Sequence, residues 1–224
     1  MKNSTVFSKE VIADRRHKMS EILRDETERG CVLVSVAFID ESLELLLRGH
    51  FKLGQPVEKT AMSSQTREKN VINPLFAASG PLSSFWSKTQ LCFALNLIPE
   101  WVHHDLEVIR KIRNVFAHSY EQVSFESQEV ATPTKTLVAP VLMAEPSNDG
   151  EMNLDISAYD EAKAKGMRYS SKEHLCFALS ASYISGYLSA LLIVKGLMVE
   201  NDTKEEAPAK QVKGTESEEQ RPKE

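Results

Sequence analysis

The chain has 224 residues, 42% hydrophobic and 26% charged, with a formal net charge of −5. These figures exclude wholesale disorder and a collagen-like fibre, and the acidity argues against a protein that coats nucleic acid by bulk charge. Three widely spaced cysteines, Cys31, Cys92 and Cys176, contain no CxxC pair; they exclude a disulfide framework and predict reduced thiols packed between helices in a cytoplasmic protein.

Residues 6–28 carry a helical pattern through Val11, Ile12, Met19, Ile22 and Leu23, with Gly30 placed to end it as a left-handed cap. Residues 31–51 follow at once. Their first half is apolar nearly all round, but Leu43, Leu46 and Leu47 extend a 3.6-residue repeat, so one long buried helix is predicted rather than a strand. Residues 52–74 form a polar connection containing Gly54, Pro56 and Pro74. A helix over 82–98 is opened by Gly80-Pro81, with Ser83 or Ser84 as its cap. Pro99 then separates it from a helix over 100–120, whose stripe is Leu106, Ile109, Ile112 and Phe116.

From 121 to 170 the pattern becomes irregular and acidic, which predicts short strands or an excursion lying over the bundle before a final helix at about 171–199. Within that last helix, 175–194 has no charged residue and the length of a membrane span. Ser182, Ser185 and Ser189 recur along one side, and Gly186 and two tyrosines lower the hydropathy, so it is predicted to be a core helix, with no membrane. Residues 200–224 contain five basic and eight acidic residues and only three apolar ones, the composition of a disordered charged tail. The fold expected is all-α: a single bundle of about five main helices over 1–199, with the insertion at 121–170.

The most informative stretch for chemistry is IRKIRNVFAHS, 109–119. Asn114 and His118 are four apart and share a helix face, while Arg113 lies about 140° from His118. An arginine, an amide and an imidazole meeting at a cleft could bind phosphate and carry out acid–base work on an RNA 2′-hydroxyl. The plainer account is structural: Arg110, Arg113 and Asn114 pair with neighbours such as Glu107, and His118 favours the helix C-terminus. His103, His104 and Asp105 lack a spacing that completes a metal site, and neither a metal nor a cofactor is expected. Lys88 is predicted to be a solvated stem. Asp40 and Glu41, interrupting an apolar run, call for a partner such as Arg24, Arg29 or Arg113.

Three segments together resemble a family. ERGC at 28–31 runs into FIDESLELLL at 38–47, GPLSSFWSK at 80–88 leads into the following helix, and IRKIRNVFAHS closes the set. In this order they resemble the mannitol operon repressor (MltR-like) family of bacteria, over roughly 27–125. The resemblance implies an all-helical cytoplasmic regulator that lowers transcription without a recognisable DNA-reading helix. It therefore implies a protein partner and weak or indirect contact with DNA; from their chemistry, the candidate binding residues are Arg110, Arg113, Asn114 and His118. A homodimer is a reasonable expectation for such a bundle. The Arg113-Asn114-x3-His118 spacing also resembles the HEPN superfamily, many of whose members are metal-independent ribonucleases. By that likeness Arg113 would hold phosphate, His118 would be the acid–base group and Asn114 would orient it, in a dimer cleft acting on RNA.

Overall fold

The computed structural model describes residues 17–19, 21–24, 26–53, 64–119, 122–143, 160, 166 and 169–195. Residues 17–19 and 21–24 are helical, and the Glu26 N–H closes a turn onto the Leu23 carbonyl at 3.3 Å. The long helix α1, Glu28–Leu53, begins immediately. Thr27 caps it, its hydroxyl accepting the Gly30 N–H at 3.0 Å. Gly30 thus lies in the first turn of α1 and does not cap the preceding helix, as the sequence suggested. A Cβ there would meet chiefly the end of the flexible Glu26 side chain, which can move aside. The apolar run of α1 is enclosed only in part: Cys31, Val32, Ile39, Leu43, Leu46 and Leu47 are fully buried, whereas Leu33, Phe38 and Leu45 stay exposed.

The expected polar connection is helical where it is described. Helix α2 takes up residues 64–76: Ser64–Arg67, a widened π turn at Glu68–Ile72, then Asn73–Phe76. Pro74 follows directly on the π turn, at the start of that last segment. The anchor of α2 is Arg48, from the far end of α1. Its Nη1 donates to Asn73 Oδ1 at 2.9 Å and reaches Glu68 at 3.4 Å, and its guanidinium lies 4.3 Å from the centre of the Phe76 ring. After α2 the chain reverses through Gly80, where any Cβ would collide with the Pro74 and Leu75 carbonyls.

Helix α3, Phe85–Ala94, is capped by Ser84, whose hydroxyl accepts the Ser87 N–H at 3.0 Å. It stops before the predicted end because Asn96 takes a positive φ of 52° and turns the chain, which buries Leu97 and Ile98 in the bend. Helix α4, Glu100–His118, starts at Pro99 and buries its stripe of Leu106, Ile109, Ile112 and Phe116 completely.

The excursion after α4 contains helices, and among the described residues there is no strand. Helix α5, Gln128–Thr134, and the short α6, Ala139–Met143, pack against α4 and the final helix α7, Lys172–Val194. Asp105 of α4 holds this layer down. Its two carboxylate oxygens accept the Val138 and Ala139 N–H groups, each at 2.8 Å, capping α6 from outside its own chain segment. The remainder of the predicted insertion, and the predicted charged tail at 200–224, lie outside the described residues.

Helix α7 is long and apolar enough to cross a membrane by length and composition, yet it is buried nearly all round by protein. Its most extensive packing is on α1, with α4, α5 and α6 covering other sides. Ser182, Ser185 and Ser189 are buried within this packing, and the Ser189 hydroxyl is satisfied by the Ser185 carbonyl at 2.9 Å. Small side chains let the two longest helices approach closely. The thiols behave as packing groups: desolvation raises Cys31 and Cys92 to about 12, well out of the reactive range.

At the start of α7 a polar knot joins three distant parts of the chain. Glu28 accepts the Phe125 N–H at 2.8 Å and the Ser170 hydroxyl. His174, 1% exposed, is stacked on Phe125 with centroids 4.8 Å apart and stands edge-on to Tyr169. The Ser170 N–H donates to His174 Nδ1 at 3.3 Å, which assigns the ring proton to Nε2. Desolvation pushes the imidazole below its usual 6.5, and the Glu28 charge only partly opposes this. The unfolded chain therefore binds the proton more readily than the native one. Stability from this group is full above pH 6.5 and declines as pH falls from 6.5 towards the lower native value. Thermal melts should show a loss of Tm between pH 7 and 5 that shrinks in His174→Gln; an equal loss in both proteins would refute this assignment.

A candidate interaction face on α3 and α4

The four residues singled out from the sequence lie along the second half of α4. Arg110 donates from Nη2 and Nε to Glu107 at 2.9 and 3.2 Å, one turn back on its own helix. Arg113 is half-buried and donates to the Asn114 side-chain oxygen at 3.3 Å. His118, the last residue of α4, is exposed. The Arg110–Glu107 pairing is thus the structural account given above, and the Arg113 guanidinium is held along its own helix by the neighbouring amide. Asn114 and His118 keep their shared face one turn apart.

That face continues towards the start of α4 and is shared with α3, which runs antiparallel to it. The Phe93 ring stacks on His103 with centroids 4.2 Å apart. Gln90 Nε2 lies 3.0 Å from His103 Nε2 and donates to Glu107 at 3.1 Å. Glu107 in turn holds Arg110, so Gln90, His103, Glu107 and Arg110 form one chain of contacts between the helices. One turn before Gln90 on the same stripe of α3 stands Trp86, 52% exposed. His104 turns away to Asp105 at 3.0 Å, so the adjacent histidines serve different neighbours. Among the described residues no group of three histidine, cysteine or carboxylate side chains could hold a metal ion.

Behind this face lies a charge network that the sequence showed only in part. Lys88, expected to be a solvated stem, is 3% exposed. Its ammonium donates to Asp40 Oδ2 at 2.8 Å and to Glu44 Oε2 at 3.1 Å, and Glu44 also pairs with Arg48 at 2.9 Å. Lys88 is therefore the partner that Asp40 required. Of the cations proposed for it, Arg29 instead donates to the Ser119 carbonyl at 3.0 Å, at the end of α4, and Arg113 meets Asn114. The available signal was the four-residue spacing of Asp40 and Glu44, two carboxylates one turn apart beside an apolar stripe. Such a pair needs a cation from another helix. Partial burial pushes the Glu44 carboxyl up, but hydrogen bonds and charge from Arg48 and Lys88 outweigh it and hold the group below 4.5. The aromatic members of the face, Trp86, Phe93 and His103, were also missed, because the pairing of α3 with α4 is what gathers them.

The fold is an all-helical bundle in which α3 and α4 share one polar and aromatic surface. The mannitol repressor family matches residues 16–189, and the chain belongs to that family. In solved structures the fold is similar to that of the MtlR–HPr complex from Escherichia coli, with 17% identity, a TM-score of 0.53, and coverage of 80% of this chain and 98% of that one. It is also similar to a possible transcriptional regulator, YggD, from Shigella flexneri, with 13% identity, a TM-score of 0.49, and coverage of 80% and 97%. No curated protein matches the chain.

Proposed function

We propose that this protein is a cytoplasmic regulator of the mannitol repressor type that lowers transcription through a bound protein partner. The observation that carries the reading is the family match over 16–189, joined to a fold shared with nearly the whole of the E. coli MtlR that was solved with HPr. HPr, or a protein of its kind, is the first candidate for the partner. The electrostatics favour a partner over naked DNA. The chain is acidic overall, and in helix α4 three carboxylates balance three arginine and lysine residues, with Arg110 paired to Glu107.

The test is transcription from a mannitol or related sugar-alcohol operon in a strain lacking the gene. Expression should rise on deletion and fall again on complementation; unchanged transcription would refute the regulatory reading. The ribonuclease alternative keeps one supporting observation, the exposure of His118 one turn beyond Asn114 at the end of α4. Metal-free RNA cleavage by the purified protein, lost in His118→Ala, would put that reading in place of the regulatory one.

A further inference from the structure

Helix α2 is poorly equipped to stand alone. Its sequence over 64–76, SQTREKNVINPLF, holds no alanine and places Thr66, Asn70, Val71, Ile72 and Asn73 in the interior, all of modest helix propensity. The Asn73 N–H reaches five residues back to the Glu68 carbonyl, and Pro74 directly after it has no N–H to give. Widened turns of this kind concentrate at functional positions. A helix this short, interrupted in this way, depends on what it docks against.

Its dock is narrow. Within 66–76 only Ile72 is buried, Val71 is 46% exposed, and α2 packs broadly on no other helix among the described residues. Arg48 holds it through Asn73, Glu68 and the Phe76 ring, and Phe76 also lies against Phe51 with centroids 6.3 Å apart. The far end of α2 is tied separately, by the Leu82 N–H donating to the Leu75 carbonyl at 2.8 Å beside the Gly80 turn. That end can serve as a pivot while the rest of the helix leaves.

Arg48 is in turn set by Glu44. One carboxylate oxygen, Oε1, accepts from Arg48 Nε at 2.9 Å, and the other, Oε2, accepts from the Lys88 ammonium at 3.1 Å. A single carboxylate therefore joins the cation that holds α2 to a cation that arrives from α3.

We propose that α2 is a clasp that docks and releases as a unit about the Gly80 turn, and that Glu44 makes its docking depend on Lys88 of α3. With Lys88 in place, the carboxylates of Asp40 and Glu44 are balanced and Arg48 is left to face α2. With Lys88 withdrawn, two unbalanced charges draw the guanidinium back from Asn73 and Glu68. Release uncovers Phe51 and the Arg48 guanidinium at the end of α1. A displacement of α3 is thereby transmitted across α1 to a helix with two states.

Hydrogen exchange of the full chain, read by mass spectrometry, tests the clasp. In the wild type, 64–76 should exchange by local opening, well ahead of α4 and α7. Arg48→Met should speed exchange over 64–76 about 20-fold and leave α4 unchanged. Lys88→Met and Glu44→Gln should each speed it about 5-fold, acting through Arg48. Ile109→Ala, a core substitution in α4 of comparable cost to Lys88→Met, should leave 64–76 at its wild-type rate. Exchange over 64–76 in step with α4 in the wild type would show that α2 is no separate unit and overturn the proposal. Equal acceleration by Ile109→Ala would trace the effect to global stability and overturn it as well. Wild-type rates in either Lys88→Met or Glu44→Gln would sever α2 from α3, and the proposal fails. Glu44→Gln keeps the shape of its side chain and carries that arm by itself if Lys88→Met does not fold.

Discussion

Replacing Lys88 by methionine should destabilise the protein by about 3 kcal/mol, the lower end of the cost of breaking a buried ion pair. Methionine fills the volume of the aliphatic stem but leaves Asp40 and Glu44 facing each other without the ammonium that bridges them at 2.8 and 3.1 Å. The lower end applies because the carboxylates retain 31% and 28% side-chain exposure, so water can partly replace the lysine. For a chain of this size the loss corresponds to a fall in Tm of about 6 to 12 °C. Neutralising the carboxylates in the same background, with Asp40→Asn and Glu44→Gln, should recover part of it. The pH profile provides an independent check. Glu44 is held below 4.5 in the native state, so its contribution is present above pH 4.5 and is lost as pH falls through the lower native value. In Lys88→Met that acid-side decline should be reduced. A stable Lys88→Met protein with an unaltered acid profile would show that the network is ornamental.

A second large effect is expected at Asp105. This carboxylate is completely buried, and its two oxygens are the acceptors for consecutive amides at the start of α6. Asp105→Ala strands both N–H groups, at about 2 to 5 kcal/mol in total. Asp105→Asn keeps the shape but turns an NH2 towards one of the amides, so it should recover little. Because the lost bonds tether α6 to α4, the damage should begin locally. Hydrogen exchange at Val138 and Ala139 should accelerate before global unfolding does. Protection at those two amides equal to wild type would refute the capping role.

How much of this was legible in the sequence depends on the range of the interactions involved. Helices α3 and α4 announce themselves through local chemistry: Ser84 as cap, Pro99 as a starter, and a stripe at Leu106, Ile109, Ile112 and Phe116. The burial of α7 was readable from its serines and glycine against its apolar background. Gly30 misled because a glycine can end one helix or stand in the first turn of the next, and here Thr27 caps the next helix by accepting the Gly30 N–H. Helix α2 was hidden because its anchor, Arg48, lies 25 residues before Asn73. Lys88 was mistaken for a surface residue for the same reason: its counter-charges sit on α1, 44 and 48 positions away. Of the candidate site, Arg110 and Asn114 were visible by helical spacing, whereas Trp86, Gln90 and Phe93 required the antiparallel pairing of two helices. The expected strands after α4 gave way to helices because Asp105, 33 and 34 residues upstream, supplies the acceptors that start α6.

The Glu28 knot also bears on how the chain is made. Its contacts to Phe125 and Ser170 span 97 and 142 residues, and the broadest helix packing joins α1 to α7. During synthesis α1 therefore emerges long before its main covering helix, and its leucine-rich face must wait until the ribosome has delivered residues beyond 190. Local helices can form early, but the closing step is a long-range one of high loop entropy. The nascent protein thus passes through a stage in which its stickiest surface is open, and this is the stage at which chaperone demand and premature termination would act on it most strongly.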